Sequence, residues 1–102
     1  MYRIILVDDE PLILAGIASL INWEDHGCTI AGKATNGPSA YEMIMSQRPD
    51  IVITDIRMPV MDGLALMEKC QAAGFHCPFI VLTNLEEFAL ARKALSLGAC
   101  EY

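Results

Sequence analysis

Three aspartates in this sequence follow two apolar runs, and together they could bind a cation. Asp8 and Asp9 come directly after residues 4–7, and Asp55 comes directly after residues 51–54. If the two runs are parallel neighbours in one sheet, the three carboxylates meet at its carboxyl edge. Two carboxylates about 4 Å apart repel by roughly 4 kcal/mol at an effective dielectric constant of about 20. Such a cluster therefore predicts a bound cation or a chemical function.

The ligand chemistry of this cluster favours magnesium. Mg²⁺ prefers oxygen ligands, and it typically takes one or two carboxylates while it keeps water and a phosphoryl oxygen. Asp9 and Asp55 are the candidate direct ligands, and Asp8 could act through a water molecule. The backbone carbonyl of Arg57 is placed to complete the site. Acids after a strand can instead cap the next helix, but the separate carboxylate at Asp55 favours the metal.

The segments that must position these aspartates alternate between short apolar runs and stretches with helical periodicity. Four strands are predicted at residues 3–7, 29–35, 51–54 and 79–82. Four helices are predicted to begin at or near Pro11, Pro38, Gly63 and Glu86. The alternation with short connections predicts an α/β fold with a doubly wound parallel sheet, in which ligands bind at the carboxyl ends of the strands. Residues 99–102 read as the start of a fifth strand.

Two helix ends carry further predictions. The first helix is predicted to present Leu14, Ile17 and Ile21 on one face, and to close near Asn22. The third helix is predicted to end at Gly74 in a left-handed cap.

Composition limits the classes of partner. The chain has 102 residues, 54% of them hydrophobic, which fits one domain with an ordinary core. Its formal charge of -6 disfavours direct binding to nucleic acid or to an anionic membrane, and favours cations and basic protein surfaces.

The opening apolar run is too short for a signal peptide, and no run can span a bilayer, so we expect a cytoplasmic protein. The four cysteines have no Cys-x-x-Cys spacing, which argues against a zinc or thioredoxin-like site.

Four segments in order resemble the motifs of the response-regulator receiver domain of two-component signalling. Residues 7–11 (VDDEP) resemble the family's acidic pair, and residues 55–63 (DIRMPVMDG) resemble its phosphoacceptor segment. Residues 82–83 (LT) resemble the segment with its switch hydroxyl, and residues 98–102 (GACEY) the segment that ends in its switch aromatic. The resemblance extends from Met1 to the end of the chain.

The resemblance implies a flavodoxin-like fold and a phosphorylation-dependent switch. Asp55 would be the phosphoacceptor, which receives a phosphoryl group from a sensor histidine kinase or from a small phosphodonor with the help of Mg²⁺. Thr83 would be the switch hydroxyl and Tyr102 the switch aromatic that turns from exposed to buried. Such a domain is not an enzyme, although it assists its own phosphorylation and dephosphorylation.

A narrower resemblance concerns the output of the switch. Trp23, Glu24 and Asp25 resemble the pattern of receivers attached to AraC-type DNA-binding domains. This implies a regulator of transcription with a separate DNA-binding output domain. A homodimer is a further partner expectation for the receiver. For the indole of Trp23 itself we expect a packing role.

One family feature is missing from the sequence. The family places a lysine three residues after the switch aromatic, and this sequence stops at Tyr102. We therefore expect residues 1–102 to be a C-terminally incomplete receiver, five-stranded in the family, with the last strand and the last helix incomplete here. Apolar surface exposed in this way predicts self-association.

Three other functions fit the sequence less well. A haloacid-dehalogenase-like phosphatase would need a second aspartate as general acid where Arg57 stands. A flavodoxin-like nucleotide or flavin binder would need a phosphate cradle where Asp8 and Asp9 would repel phosphate. A pseudo-receiver, a protein-interaction module without phosphoryl transfer, would not need the intact set Asp8, Asp9, Asp55 and Thr83.

Overall fold

Strands and helices alternate along residues 1–82 and 99–101, which are the residues that the computed structural model describes. The strands are β1 (Tyr2–Val7), β2 (Cys28–Ala34), β3 (Ile51–Asp55), β4 (Phe79–Leu82) and β5 (Ala99–Glu101). The helices are α1 (Pro11–Leu20), a short 3-10 helix (Trp23–His26), α2 (Gly37–Gln47) and α3 (Gly63–Ala72). The four predicted strands and the first three predicted helix starts agree with these bounds within a residue or two. The fourth predicted helix lies outside the described residues.

The five strands form one parallel sheet in the order β2-β1-β3-β4-β5. The chain passes from β1 to β2 on one side, and then crosses back to place β3 on the other side of β1. This change of direction is the topological switch point of a doubly wound sheet, where ligands bind beyond the carboxyl ends of the strands. The predicted fold class is confirmed, and the aspartates at the carboxyl ends of β1 and β3 lie at the switch point.

Local sequence explains where the helices begin and end. Pro11 occupies the first turn of α1, where a missing N–H costs nothing. The side chain of Asn36 accepts a hydrogen bond from the Ser39 amide at the start of α2, and the side chain of Asp62 does the same for Ala65 in α3. Gly74 follows α3 with a φ of 86°, which confirms the predicted left-handed cap.

The predicted buried face of α1 is wrong at its last residue, although the helix closes near Asn22 as predicted. The helix stops at Leu20, and Ile21 has an extended backbone and an exposed side chain, so Ile21 does not share the buried face with Leu14 and Ile17. The indole N–H of Trp23 donates to the carbonyl of Ile17 at 3.2 Å. Trp23 therefore both satisfies the end of the helix and packs on the core, which confirms its packing role.

Side chains of the sheet pack on both of its faces. Along β1, Ile4 and Leu6 join the cluster under α1, while Ile5 and Val7 join the larger cluster under α2 and α3. This division explains why β1 is continuously apolar, as a parallel strand covered on both faces must be. Within the described part of the chain, no helix has the length and apolar character needed to cross a bilayer.

Candidate functional site

The structure brings the three predicted aspartates together at the carboxyl edge of the sheet. Asp8 follows β1, and Asp55 is the last residue of β3. One carboxylate oxygen from each of Asp8, Asp9 and Asp55 lies within 4.8 Å of the other two. The ends of two apolar runs predict this convergence, and the parallel pairing of β1 with β3 produces it.

Asp8 is the most deeply placed of the three carboxylates, with 3% of its surface exposed. One of its oxygens accepts a hydrogen bond from the Glu10 amide at 2.9 Å. Burial raises the pKa of Asp8 above its usual value, the Glu10 amide opposes that rise, and the nearby charges of Asp9 and Glu10 add to it. A cation at this place would favour the charged carboxylate, since it supplies the opposite charge that the described surroundings of Asp8 lack.

The three carboxylates are graded in exposure from the core to the surface. Asp8 is buried, Asp55 is half-buried and Asp9 is exposed. The ligand set consists entirely of oxygen, with one side open to solvent, and this arrangement fits a hard cation that keeps water or a phosphoryl oxygen in its remaining positions. The donor chemistry therefore fits Mg²⁺ and does not fit a closed thiolate site.

The loop after Asp55 is anchored on both sides of Arg57. The side chains of Ile56 and Met58 are buried in the cluster under α2 and α3, while the side chain of Arg57 is exposed. The Gly63 amide donates to the Ile56 carbonyl at 2.9 Å and closes the loop. The backbone at Arg57, whose carbonyl is the predicted metal ligand, is thus held between two buried side chains.

The same loop contains a feature that the sequence did not predict. The Met61 amide donates to the Pro59 carbonyl at 2.7 Å across Val60, which has a φ of 68°. This is the pattern of a γ-turn of the strained type, and a β-branched residue is disfavoured at its centre. The side chain of Val60 is 98% exposed. No sequence signal marks this turn, because glycine or asparagine would normally occupy such a position.

A glycine on α2 fits closely against this loop. A Cβ atom on Gly37 would lie 2.5 Å from the Cβ of Met61 and 2.7 Å from its carbonyl oxygen. The first turn of α2 can approach the loop only because residue 37 has no side chain. Beside this junction, a groove of about 490 Å³ runs past the acidic cluster. Its lining includes Asp9, Asn36, Pro59 and Val60.

Two further functional predictions fall outside the described residues. Thr83, the predicted switch hydroxyl, directly follows β4, and Tyr102, the predicted switch aromatic, directly follows β5. Their roles remain predictions.

Sequence reasoning also missed Thr54, whose fully buried hydroxyl donates to the carbonyl of Asp55 at 2.9 Å.

Comparison with known proteins agrees with this geometry. The profile of the response regulator receiver domain matches residues 4–102. The chain is 48% identical over 102 residues to the uncharacterized transcriptional regulatory protein YesN of Bacillus subtilis. The match covers 100% of this chain and 28% of YesN. The chain thus spans less than a third of the length of that relative.

Solved receiver domains have the same fold. The REC domain of AraT, a response regulator from Geobacillus stearothermophilus, superposes with a TM-score of 0.90 at 33% identity, over 99% of this chain and 78% of that one. A response regulator receiver domain protein from Clostridium thermocellum superposes with a TM-score of 0.88 at 28% identity, over 100% of this chain and 80% of that one. The predicted resemblance and the predicted flavodoxin-like fold are confirmed. The chain belongs to the family of response regulator receiver domains.

Proposed function

We propose that this chain is a phosphorylation-dependent switch of two-component phosphorelay signalling that accepts a phosphoryl group on Asp55 with the help of Mg²⁺. The observation that carries the proposal is the convergence of Asp8, Asp9 and Asp55 within 4.8 Å at the switch point of a receiver fold. Carboxylates this close repel one another, and a divalent cation bound between them neutralises that repulsion by attracting all three.

Each acidic residue has a separate part in the proposal. Asp9 and Asp55 would bind the cation directly, Asp8 would act through a water molecule, and the backbone carbonyl of Arg57 would complete the set. Receiver domains generally bind Mg²⁺ at an acidic pocket of this kind. The bound ion would supply positive charge between an anionic nucleophile and an anionic donor.

The chemical step is an in-line displacement at phosphorus. A carboxylate oxygen of Asp55 forms a bond to the phosphorus atom while the P–N bond of a kinase phosphohistidine breaks, and the imidazole leaves with the bonding electron pair. With acetyl phosphate, the P–O bond to acetate breaks instead. Because Asp55 is half-buried at the end of a strand, its backbone is held by the sheet while its carboxylate stays accessible.

The readout of phosphorylation is a shift between two packings of the domain. In the family, the switch hydroxyl donates to a phosphoryl oxygen and the switch aromatic then turns inward. We assign these parts to Thr83 and Tyr102 by resemblance. The phosphoryl group acts as a ligand that favours one of two populations. Residues 1–102 would act as one receiver domain, a regulatory phosphoacceptor rather than an enzyme with turnover.

The partners follow from the family and from the charge of the chain. The phosphodonor would be a sensor histidine kinase, and this protein would act in the cytoplasm. The output would be a DNA-binding domain of the full-length protein that controls transcription. YesN, the relative from Bacillus subtilis, is described as a transcriptional regulatory protein. The net charge of -6 favours a receiver that controls DNA binding, through homodimer formation or docking, without touching DNA itself.

Trapping the acyl phosphate tests this proposal. The chain is incubated with MgCl₂ and acetyl phosphate, reduced with borohydride, and mapped by peptide mass spectrometry. We expect an adduct on Asp55 that requires Mg²⁺ and is lost in Asp55→Asn. Asp62→Asn is the matched control, since Asp62 caps α3 in the same loop and should leave the adduct intact. A chain extended past Tyr102 that still gives no adduct, and no response to beryllofluoride, would favour the pseudo-receiver instead.

A further inference from the structure

We propose that Thr54 and Gly63 are positioning residues that fix the peptide group between Asp55 and Ile56, and thereby aim the acceptor carboxylate and the metal-binding loop. The inference rests on the proposed function, because it names residues that prepare the Mg²⁺ and phosphoryl site without touching either group. It starts from a hydroxyl in the core that the predicted site does not use.

Thr54 is a polar residue in apolar surroundings. It has no exposed surface, and in the sheet it lies between Val7 of β1 and Val81 of β4, both of which are buried. A buried hydroxyl needs a hydrogen-bond partner to offset the loss of water. The Thr54 hydroxyl donates to the carbonyl oxygen of Asp55 at 2.9 Å. A valine side chain at this position would fill the same space between Val7 and Val81, so packing alone does not require threonine.

Gly63 holds the same peptide group through a different contact. A Cβ atom on Gly63 would overlap the carbonyl oxygen of Asp55 and would lie 3.1 Å from the Cα of Ile56. The α carbon of Gly63 therefore lies against the peptide that follows the acceptor. The Gly63 amide also donates to the carbonyl of Ile56 at 2.9 Å. Glycine is required here because of the close approach, and its φ is not in the left-handed region.

The held peptide connects the two parts of the site that must be aligned. On one side is the acceptor Asp55, and on the other is the short path through Ile56 to Arg57, whose carbonyl is the proposed metal ligand. A rotation of this peptide would move the carboxylate and the loop together. Displacements of about 1 Å can cost about a hundredfold in rate when reacting groups must be aligned. The Ile56 amide of this peptide donates to the Leu82 carbonyl at 3.3 Å. The Thr54 hydroxyl and the backbone of Gly63 restrict the rotation further from the carbonyl side.

A purely structural role for the Thr54 hydroxyl gives a different expectation. If the hydroxyl only satisfied its own need for a partner, Thr54→Val would leave the site unchanged, because valine has a similar shape and matches its neighbours. If the hydroxyl positions the peptide, Thr54→Val keeps or raises the unfolding midpoint but weakens the site. Loss of function without loss of stability separates the two roles.

The experiment measures Mg²⁺ affinity and phosphorylation rate in Thr54→Val and Thr54→Ser. Mg²⁺ affinity is read from amide chemical shifts during MgCl₂ titration, and the rate is read with acetyl phosphate. For Thr54→Val we expect Mg²⁺ binding about tenfold weaker, as for other changes just outside a metal's ligands. Thr54→Ser, which retains the hydroxyl, should recover most of the affinity. Thr29→Val in β2 is the matched control and should leave the affinity unchanged.

Further variants keep the test decisive. If Thr54→Val does not fold, Thr54→Ala against Thr54→Ser gives the same comparison, since both shorten the side chain and only serine keeps the hydroxyl. Gly63→Ala should weaken Mg²⁺ binding by at least as much as Thr54→Val, whereas Gly16→Ala, which meets no atom within 4 Å, should not.

Two results carry separate conclusions. A chain extended past Tyr102 that neither binds Mg²⁺ nor forms an adduct would overturn the proposed function. Wild-type protein that does both, together with Thr54→Val of equal affinity and equal rate, would overturn only the positioning role.

Discussion

Val7 of β1 and Thr54 of β3 lie opposite each other in register, so the next residue on each strand, Asp8 and Asp55, reaches the edge of the sheet at the same level. The two aspartates are 47 residues apart in the chain, and α1, β2 and α2 all intervene. Their proximity is therefore a property of strand order and register. A slip of one residue between β1 and β3 would turn every side chain of one strand to the opposite face and separate the carboxylates.

The acidic cluster predicts that Mg²⁺ stabilises the domain. A ligand that binds only the folded state adds about 2.7 kcal/mol to the free energy of unfolding at a hundredfold excess over its dissociation constant. We expect thermal melting to rise with MgCl₂ in the wild type, and much less in Asp9→Asn. Without the metal, Asp9→Asn should melt at the same temperature or higher, because it removes a repelling charge. Asp25→Asn is the control, since Asp25 lies in the 3-10 helix away from the cluster. Equal Mg²⁺ responses in wild type and Asp9→Asn would contradict the proposed ligand set.

Burial of Asp8 predicts a specific dependence of stability on pH in the absence of metal. The pKa of Asp8 in the folded state is raised above 3.8, so the folded state binds more protons than the unfolded state in this range. The contribution of Asp8 is therefore most favourable below pH 3.8, and it is lost as the pH rises through the higher folded-state pKa. At neutral pH the charged Asp8 destabilises the metal-free protein.

Urea unfolding across this pH range checks the prediction. The difference in unfolding free energy between Asp8→Asn and wild type should grow as the pH rises through the folded-state pKa of Asp8, and then become constant. Asparagine can still accept the hydrogen bond from the Glu10 amide, so the exchange mainly removes the charge. Saturating Mg²⁺ should shrink the difference or reverse its sign. A difference that does not change with pH would mean that Asp8 titrates alike in both states.

The parts of this molecule that sequence reasoning predicted depend on local rules. Pro11 fixes a helix start, Gly74 fixes a helix end, and an acid after an apolar strand lies at the carboxyl edge of the sheet. The features that it missed depend on tertiary neighbours. Ile21 has the correct spacing for the buried face of α1, but the helix stops at Leu20 and the indole of Trp23 packs against the cluster under α1.

The same limit applies to the candidate site. Thr54 reads as an ordinary β-branched strand residue, and only the packed structure shows that its hydroxyl meets the carbonyl of Asp55. The residue type at position 60 argues against the observed backbone, because valine disfavours a positive φ. Val60 lies between Pro59, whose carbonyl accepts a hydrogen bond from the Met61 amide, and Met61, which approaches Gly37 closely.

The backbone of Val60 predicts that this residue lowers the stability of the domain. A positive φ costs an ordinary residue about 1–2 kcal/mol, and asparagine tolerates it better than most residues other than glycine. With its side chain in solvent, Val60 gains no packing energy in return. We expect Val60→Asn to raise the free energy of unfolding in urea by about 1 kcal/mol. Val60→Thr keeps the β-branch and serves as the control, so it should give no gain. Equal stabilities of the asparagine and threonine variants would show that the turn is not strained.

Exposed apolar side chains on α1 predict that the chain associates with itself. Leu12 and Leu20 are 87% and 86% exposed, and Ile13 is also open to solvent. Ile13 and Leu20 are seven residues apart, which places them on one face of the helix. Contiguous apolar surface of this kind favours association in water. Sedimentation velocity over a range of concentrations should show a reversible larger species, and the double variant Ile13→Gln with Leu20→Gln should shift it towards monomer. Ala15→Gln, an exposed change on the same helix, should not. A wild-type chain that sediments as a monomer at every concentration, with a high melting temperature, would show that α1 does not drive association.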